Sequence, residues 1–265
     1  MSTVTSADGT GIAFDRVGTG DPLILVDGAM CYREQSPLPE FAKQLAADFT
    51  VYTYDRRGRG ESGDTAPYAP EREIEDIEAL MKDAGGSAHL FGTSSGAMLA
   101  LEAANAGLPV RRLALYEPPL IVDDTRPPIP ADVTDRFSAS VAQGKPGDAV
   151  KLFMRQVEVP AFAIAMMKLM PAWSKMKRIA HTLPYDFSFV NAYQHGKPLP
   201  RQRWTNVAVP TLVIDGGKSP QWMRNGVRAL ADRLPTAQYH TLPGQTHMVK
   251  AAALVPVLRE FFAQH

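Results

Sequence analysis

The sequence predicts an α/β fold, with a mostly parallel central sheet, helices on both faces and one helical insertion. Three observations lead to it. From residue 11 to residue 117, short β-branched or wholly apolar runs alternate with longer stretches of helical periodicity. Over residues 118–205 that rhythm gives way to helical stretches alone, and it resumes over 206–265. Prolines crowd both joints: Pro118, Pro119, Pro127, Pro128 and Pro130 on entry, Pro198 and Pro200 on exit. The core is therefore assigned to residues 1–117 and 206–265, and the insertion to residues 118–205.

In chain order, a strand is predicted over 11–17, closing on the turn Gly18-Thr19-Gly20. The apolar run 22–26 ends at Asp27-Gly28, as a buried parallel strand should. A helix over 39–47 and a strand over 50–54 follow. Next come a helix over 71–84 with acidic residues near its start, a strand over 88–91, an alanine-rich helix over 95–106 and a strand over 112–116. The insertion reads as helices over 132–142, 147–158 and 161–179, the last broken or kinked at Pro171. The core closes with strands over 210–215 and 237–242 and helices over 221–234 and 251–263. Such an insertion is expected to lie as a lid over the carboxyl ends of the strands, where open α/β sheets bind ligands.

Composition narrows the function. The 28 basic and 28 acidic residues cancel, and no long run of one sign occurs, which argues against nucleic acid or an anionic membrane as partner. Cys31 is the single cysteine, so an internal disulfide is impossible and a thiolate metal cluster is not expected. Met1 to Asp15 lacks the basic and apolar regions of a leader, and no apolar run reaches bilayer length. A cytoplasmic protein without cofactor or metal is the expectation.

The chemistry is concentrated in Gly92-Thr93-Ser94-Ser95-Gly96, a G-x-S-x-G run placed between a predicted strand and a predicted helix. A turn that sharp leaves no room for side chains two residues either side of the serine, and both positions are glycine. Upstream, Asp55-Arg56-Arg57-Gly58-Arg59-Gly60-Glu61-Ser62 resembles the segment D-x-R-G-x-G-x-S. On these residues nearly the whole chain resembles the α/β-hydrolase superfamily, in its serine-nucleophile branch with a helical cap. The resemblance implies that Ser94 is a nucleophile and that Asp55, Arg57 and Ser62 staple a loop.

A serine hydroxyl needs a base, and in this superfamily the base follows the last strand. His247, in Gly244-Gln245-Thr246-His247, stands there; His89, His181, His195, His240 and His265 fit worse. The acid departs from the pattern. After the strand that follows the insertion, Asp215-Gly216-Gly217-Lys218-Ser219 puts Ser219 where the acid is usual, and a serine cannot balance an imidazolium. Glu117, at the end of the strand 112–116, is preferred to Asp215, which sits about four residues early. For the oxyanion hole the resemblance implies the backbone N–H groups of Ser95 and Ala29. Asp27 replaces a customary histidine in that loop and is expected to point away and tie the loop down. Cys31 reads as a small buried filler.

The insertion is rich in methionine and aromatic residues. Met154, Met166, Met170 and Trp173, with Met30 beside the oxyanion loop, are the candidate pocket lining, though side chains at helical spacing also suit a core. The reading is a serine hydrolase acting on a carboxylic ester or lactone of a small hydrophobic substrate, with a homodimer left open. A cofactor-free haloperoxidase-like perhydrolase, a carbon–carbon bond hydrolase and a non-catalytic ligand-binding protein on the same scaffold are the alternatives. Ser94 argues against the dehalogenase and epoxide-hydrolase branches, which need an aspartate at that position.

Overall fold

The computed structural model describes residues 1–264. Eight strands form one sheet, in the order β1-β2-β4-β3-β5-β6-β7-β8. The strands are β1 (Ser2–Thr5), β2 (Gly11–Val17), β3 (Asp21–Val26), β4 (Phe49–Tyr54), β5 (Ala88–Thr93), β6 (Val110–Tyr116), β7 (Thr211–Gly216) and β8 (Ala237–Leu242). Only β1–β2 and β2–β4 pair antiparallel; the remaining five pairings are parallel. The short edge strand β1 has three exposed positions of four, so it lacks the apolar run that announces a strand.

Alternation along the strands gives the sheet two apolar faces. In β3, Ile24 and Val26 join one core cluster while Leu23 and Leu25 join the other. The second cluster is covered by α1 (Leu38–Leu45), which contributes Leu38, Phe41 and Leu45, and at the other end of the chain by Leu254, Leu258 and Phe261. The first is covered by α2 (Pro70–Asp83), α3 (Ser95–Asn105) and the helices of the insertion. Helices therefore lie on both faces, as the sequence predicts. No helix among the described residues is long and apolar enough to cross a membrane.

Between β6 and β7 the chain forms α4 (Val133–Ala142), α5 (Pro146–Gln156), α6 (Ala161–Met167), α7 (Pro171–Arg178) and α8 (Leu183–Val190). The helix expected over 161–179 is thus two. Proline lacks the N–H that a helix interior needs but suits a first turn, so Pro171 opens α7 instead of interrupting α6. The sequence reading passed over α8, although Pro184 near its start is the same kind of signal. This helix matters most for position, because it packs against α3 and buries Leu183, Asp186, Phe187, Phe189 and Val190. The core closes with α9 (Gln221–Ala231) and α10 (Ala251–Phe262).

Candidate active site

Ser94 joins β5 to α3 with φ 55° and ψ −126°, a backbone conformation that L residues avoid. Its neighbours hold it there. A Cβ on Gly92 would lie 2.5 Å from the Gly96 carbonyl oxygen, and one on Gly96 would lie 2.4 Å from the carbonyl oxygens of Val26 and Asp27. Both glycines are therefore required by close backbone approach. The Ser94 N–H donates to the Tyr116 carbonyl at 2.9 Å, tying the turn to β6. The strain is localised at the single residue that turns the chain from β5 into α3.

One residue past β6, Glu117 is wholly buried and also left-handed, at φ 45°. Its two oxygens are both engaged. Oε1 accepts the Gly216 N–H at 2.7 Å, and Oε2 lies 2.8 Å from His247 Nδ1. Three contacts hold the His247 loop over the strand ends. Tyr116 Oη donates to the Thr246 carbonyl at 2.6 Å, Lys218 N–H donates to the Gln245 carbonyl at 2.8 Å, and Gly217 N–H donates to the Leu242 carbonyl at 2.9 Å. Among the described residues no hydrogen bond joins Ser94 Oγ to His247, a contact that commonly tightens only around substrate.

Asp215 is engaged elsewhere. Its Oδ2 accepts from Tyr239 Oη at 2.6 Å and from Arg224 Nε at 3.3 Å, which turns the carboxylate toward β8 and α9. Of the two carboxylates at the ends of β6 and β7, Glu117 is the one bonded to His247. Ser219, at the position where the acid is usual, is buried with its hydroxyl unbonded.

After β3, the Asp27–Cys31 loop passes in front of Ser94, and a Cβ on Gly28 would come within 3.1 Å of the Ser94 Cβ. Asp27 is buried, and its Oδ1 accepts the Gly28 N–H at 2.8 Å. Burial pushes its carboxyl above the usual range, so its negative charge is disfavoured in this position. Met30, at φ 61°, is buried beside it. Burial also pushes the Cys31 thiol well up, with Asp27 adding to the effect, and it is no thiolate nucleophile.

The Asp55–Ser62 segment staples its loop as expected. Asp55 accepts from Arg33 and from the Glu61 N–H, Ser62 Oγ donates to the Asp55 carbonyl, and Arg57 forms a two-point pair with Asp76. Sequence reasoning missed the flanking arginines. Arg56 is buried, holds Glu73 at two points (2.7 and 2.8 Å) and donates to Asp186 Oδ1 at 2.6 Å. Burial works against its charge, but Glu73 and Asp186 outweigh it and keep the guanidinium firmly protonated. Arg59, buried as well, donates to Asp186 Oδ2 at 2.5 Å and to the Gly28 carbonyl at 2.8 Å. Ser95 Oγ donates to the same Asp186 at 2.7 Å. The signal was present: Asp186 is a lone charge in Leu183-Pro184-Tyr185-Asp186-Phe187, and a buried acid in an apolar run requires a cationic partner.

The candidate pocket residues do not share one surface. Met154 and Trp173 are packed into the main core with Met30, whereas Met166 and Met170 are exposed. The reason is the facing of the short helix α6, which turns Ile164 and the half-buried Met167 to the core, so that Met166, two positions past Ile164, is carried to the outer side. A groove of about 680 Å³ lies beside Tyr32, Arg33, Glu61, Lys175 and Arg178, and neither Ser94 nor His247 lines it.

A sheet with this strand order, a strained serine at the β5–α3 turn and a histidine loop after β8 define an α/β-hydrolase-type protein. Residues 10–255 match the alpha/beta hydrolase family, and the chain belongs to that family. It is 50% identical to an alpha/beta hydrolase from Sphaerobacter thermophilus, over 99% of this chain and 100% of that one, with a TM-score of 0.89. A thermophilic esterase from Thermogutta terrifontis shares the fold at 22% identity, covering 98% and 97% of the two chains, with a TM-score of 0.72. An N-formylmaleamate deformylase of Pseudomonas putida is 38% identical over 110 residues, a match spanning 39% of this chain and 39% of the relative.

Proposed function

We propose that the protein is a serine hydrolase that transfers an acyl group to water, with a carboxylic ester or lactone of a small hydrophobic compound as substrate. The observation that carries this reading is the Glu117–His247 contact at 2.8 Å beside a serine held at φ 55°. When His247 Nδ1–H donates to Glu117, the lone pair on Nε2 is free to accept a proton. Ser94 Oγ attacks the carbonyl carbon as its proton passes to Nε2. The bond to the leaving alkoxide then breaks, and the alkoxide takes that proton. Water repeats the sequence on the acyl-enzyme, releasing the acid. The N–H groups of Ser95 and Ala29 hold the oxyanion, and Glu117 stabilises the imidazolium.

A formyl amide is the second reading, favoured by the resemblance to the deformylase. Perhydrolysis and carbon–carbon cleavage would employ the same three side chains. Turnover of p-nitrophenyl esters of increasing chain length, with and without peroxide, set beside an N-formyl amide, separates these chemistries. A fluorophosphonate probe should label the wild type and leave Ser94→Ala unlabelled, and the variant should have no turnover. Equal behaviour of the two proteins would end the enzymatic reading.

A further inference from the structure

Asp186 belongs to the insertion, yet through the side chains of Ser95, Arg56 and Arg59 it is tied to both stretches of chain on which an oxyanion hole would depend. Its Oδ1 receives Ser95 Oγ, and Ser95 opens α3 directly after Ser94. The same oxygen receives Arg56, whose Nη1 also reaches the Asp27 carbonyl at 3.2 Å. Its Oδ2 receives Arg59, which donates in turn to the carbonyls of Gly28 at 2.8 Å and Cys31 at 3.3 Å. Thr182 Oγ1, just ahead of α8, accepts from Arg59 Nε at 3.0 Å. All the side chains in this cluster are buried.

Peptide geometry converts those bonds into a direction. In a trans peptide the C=O and the N–H that share a plane point in opposite senses. With the Gly28 carbonyl fixed on Arg59, the Ala29 N–H must point away from Arg59. With the Asp27 carbonyl near Arg56, the Gly28 N–H is likewise turned away, and Asp27 Oδ1 takes it up. Of these two N–H groups, the Ala29 one points away from Arg59 and is not the one that Asp27 takes up.

Resting on the serine-hydrolase reading, we infer that Asp186 and Arg59 are positioning residues that set both oxyanion donors, so that docking of α8 and assembly of the oxyanion hole are one event. The cluster is electrically balanced, Arg56 and Arg59 against Glu73 and Asp186. Its effect is therefore orientation and not a net field. That distinction makes it testable. Asp186→Asn removes a negative charge and Arg59→Met a positive one. A field effect would drive kcat in opposite directions, up for the first and down for the second. Positioning drives both down.

The test measures kcat and KM on the best p-nitrophenyl ester, together with inhibition by a trifluoromethyl ketone that mimics the tetrahedral intermediate. Both variants are expected to lose roughly 10- to 100-fold in kcat, with KM within about threefold, and to lose affinity for the ketone in parallel. Arg59→Lys, which keeps the positive charge on a single donor nitrogen, should recover part of the loss. Because each first variant strands a buried charge, Ser95→Ala serves as a milder probe. It cuts one bond to Asp186 without unpairing an ion, and roughly a 3- to 10-fold fall in kcat at constant KM is expected. Unchanged kcat in folded variants, or opposite shifts, would overturn the inference. Ser94→Ala in the same assay keeps the two questions apart. If it is inactive while the other variants are unaffected, the positioning role alone fails; if it retains turnover, the hydrolase reading falls and takes this inference with it.

Discussion

At the carboxyl end of β6 the buried Glu117 carboxylate has both oxygens hydrogen-bonded, whereas near the amino end of β5 the buried His89 imidazole has neither nitrogen bonded. Asp215, at the end of β7, lies between these extremes, with Oδ2 bonded and Oδ1 bare. All three are polar groups hidden in one sheet, so burial alone does not distinguish them. Partners do. Those of Glu117 lie on the end of β7, at Gly216, and on the His247 loop, and the carboxylate fixes one relative to the other. His89 instead packs between aromatic rings, Phe262 with its centroid at 5.0 Å and Phe49 at 6.1 Å. An unbonded buried polar atom costs about 1–3 kcal/mol, and at His89 nothing in the site recovers it.

The largest effect expected from breaking this contrast comes from Glu117→Gln. The amide is nearly isosteric and can still meet the Gly216 N–H, but it cannot balance an imidazolium and can hold the wrong histidine tautomer. A fall in kcat of roughly a thousandfold or more is expected, with the far-UV circular dichroism and the melting temperature close to wild type. A drop of less than tenfold would remove Glu117 from the reaction.

The legible parts of the candidate site were those written in local spacing. Ser94 between its glycines and His247 after the last strand stand out as candidates because each depends on a few neighbouring residues. The choice between Glu117 and Asp215 depended on geometry that no spacing records. Tyr116 is in register with Ile214, so the two carboxylates lie level on adjacent strands. What separates them is their partners, His247 and the Gly216 N–H for Glu117, Tyr239 and Arg224 for Asp215. The Arg56–Asp186 bond is harder still to read, because its partners are 130 positions apart and α8 carries no strong periodic signal. The fold was legible for the complementary reason: apolar runs and helical periodicity are dense signals along the core, and the misses, the polar edge strand β1, the short helix α8 and the split of 161–179 into α6 and α7, lie where those signals thin out.

Asp215→Asn should produce a smaller effect of a different kind. The carboxylate receives Tyr239 Oη and Arg224 Nε, bonds that hold β8 and α9 to β7. Loss of the charge weakens them, and about 1 kcal/mol is expected, a fall of roughly 2–4 °C in melting temperature for a chain of this size. Turnover should stay within about threefold of wild type, since neither partner touches His247. Should Asp215→Asn instead lose activity as steeply as Glu117→Gln, the acid would have to be assigned to β7.

The smallest effect belongs to the other end of the sheet and concerns pH. Burial depresses the His89 pKa to about 4, from 6.5 when the ring is free. Above pH 6.5 the ring is neutral folded or unfolded and contributes no pH dependence. Between pH 6.5 and about 4 the unfolded chain takes up a proton that the folded one refuses, so stability falls across that window and levels off below it. The full loss is on the order of 3 kcal/mol, with somewhat more than half of it present by pH 5. His89→Phe keeps an aromatic ring between Phe49 and Phe262 and removes both unbonded nitrogens. It should melt slightly above wild type at pH 7.5, and the margin should widen at pH 5 while ester turnover is unaffected. A margin that does not grow on acidification would mean that the folded protein accepts the proton after all. His89 would then have a partner at low pH, and the contrast with Glu117 would lose its sharper half.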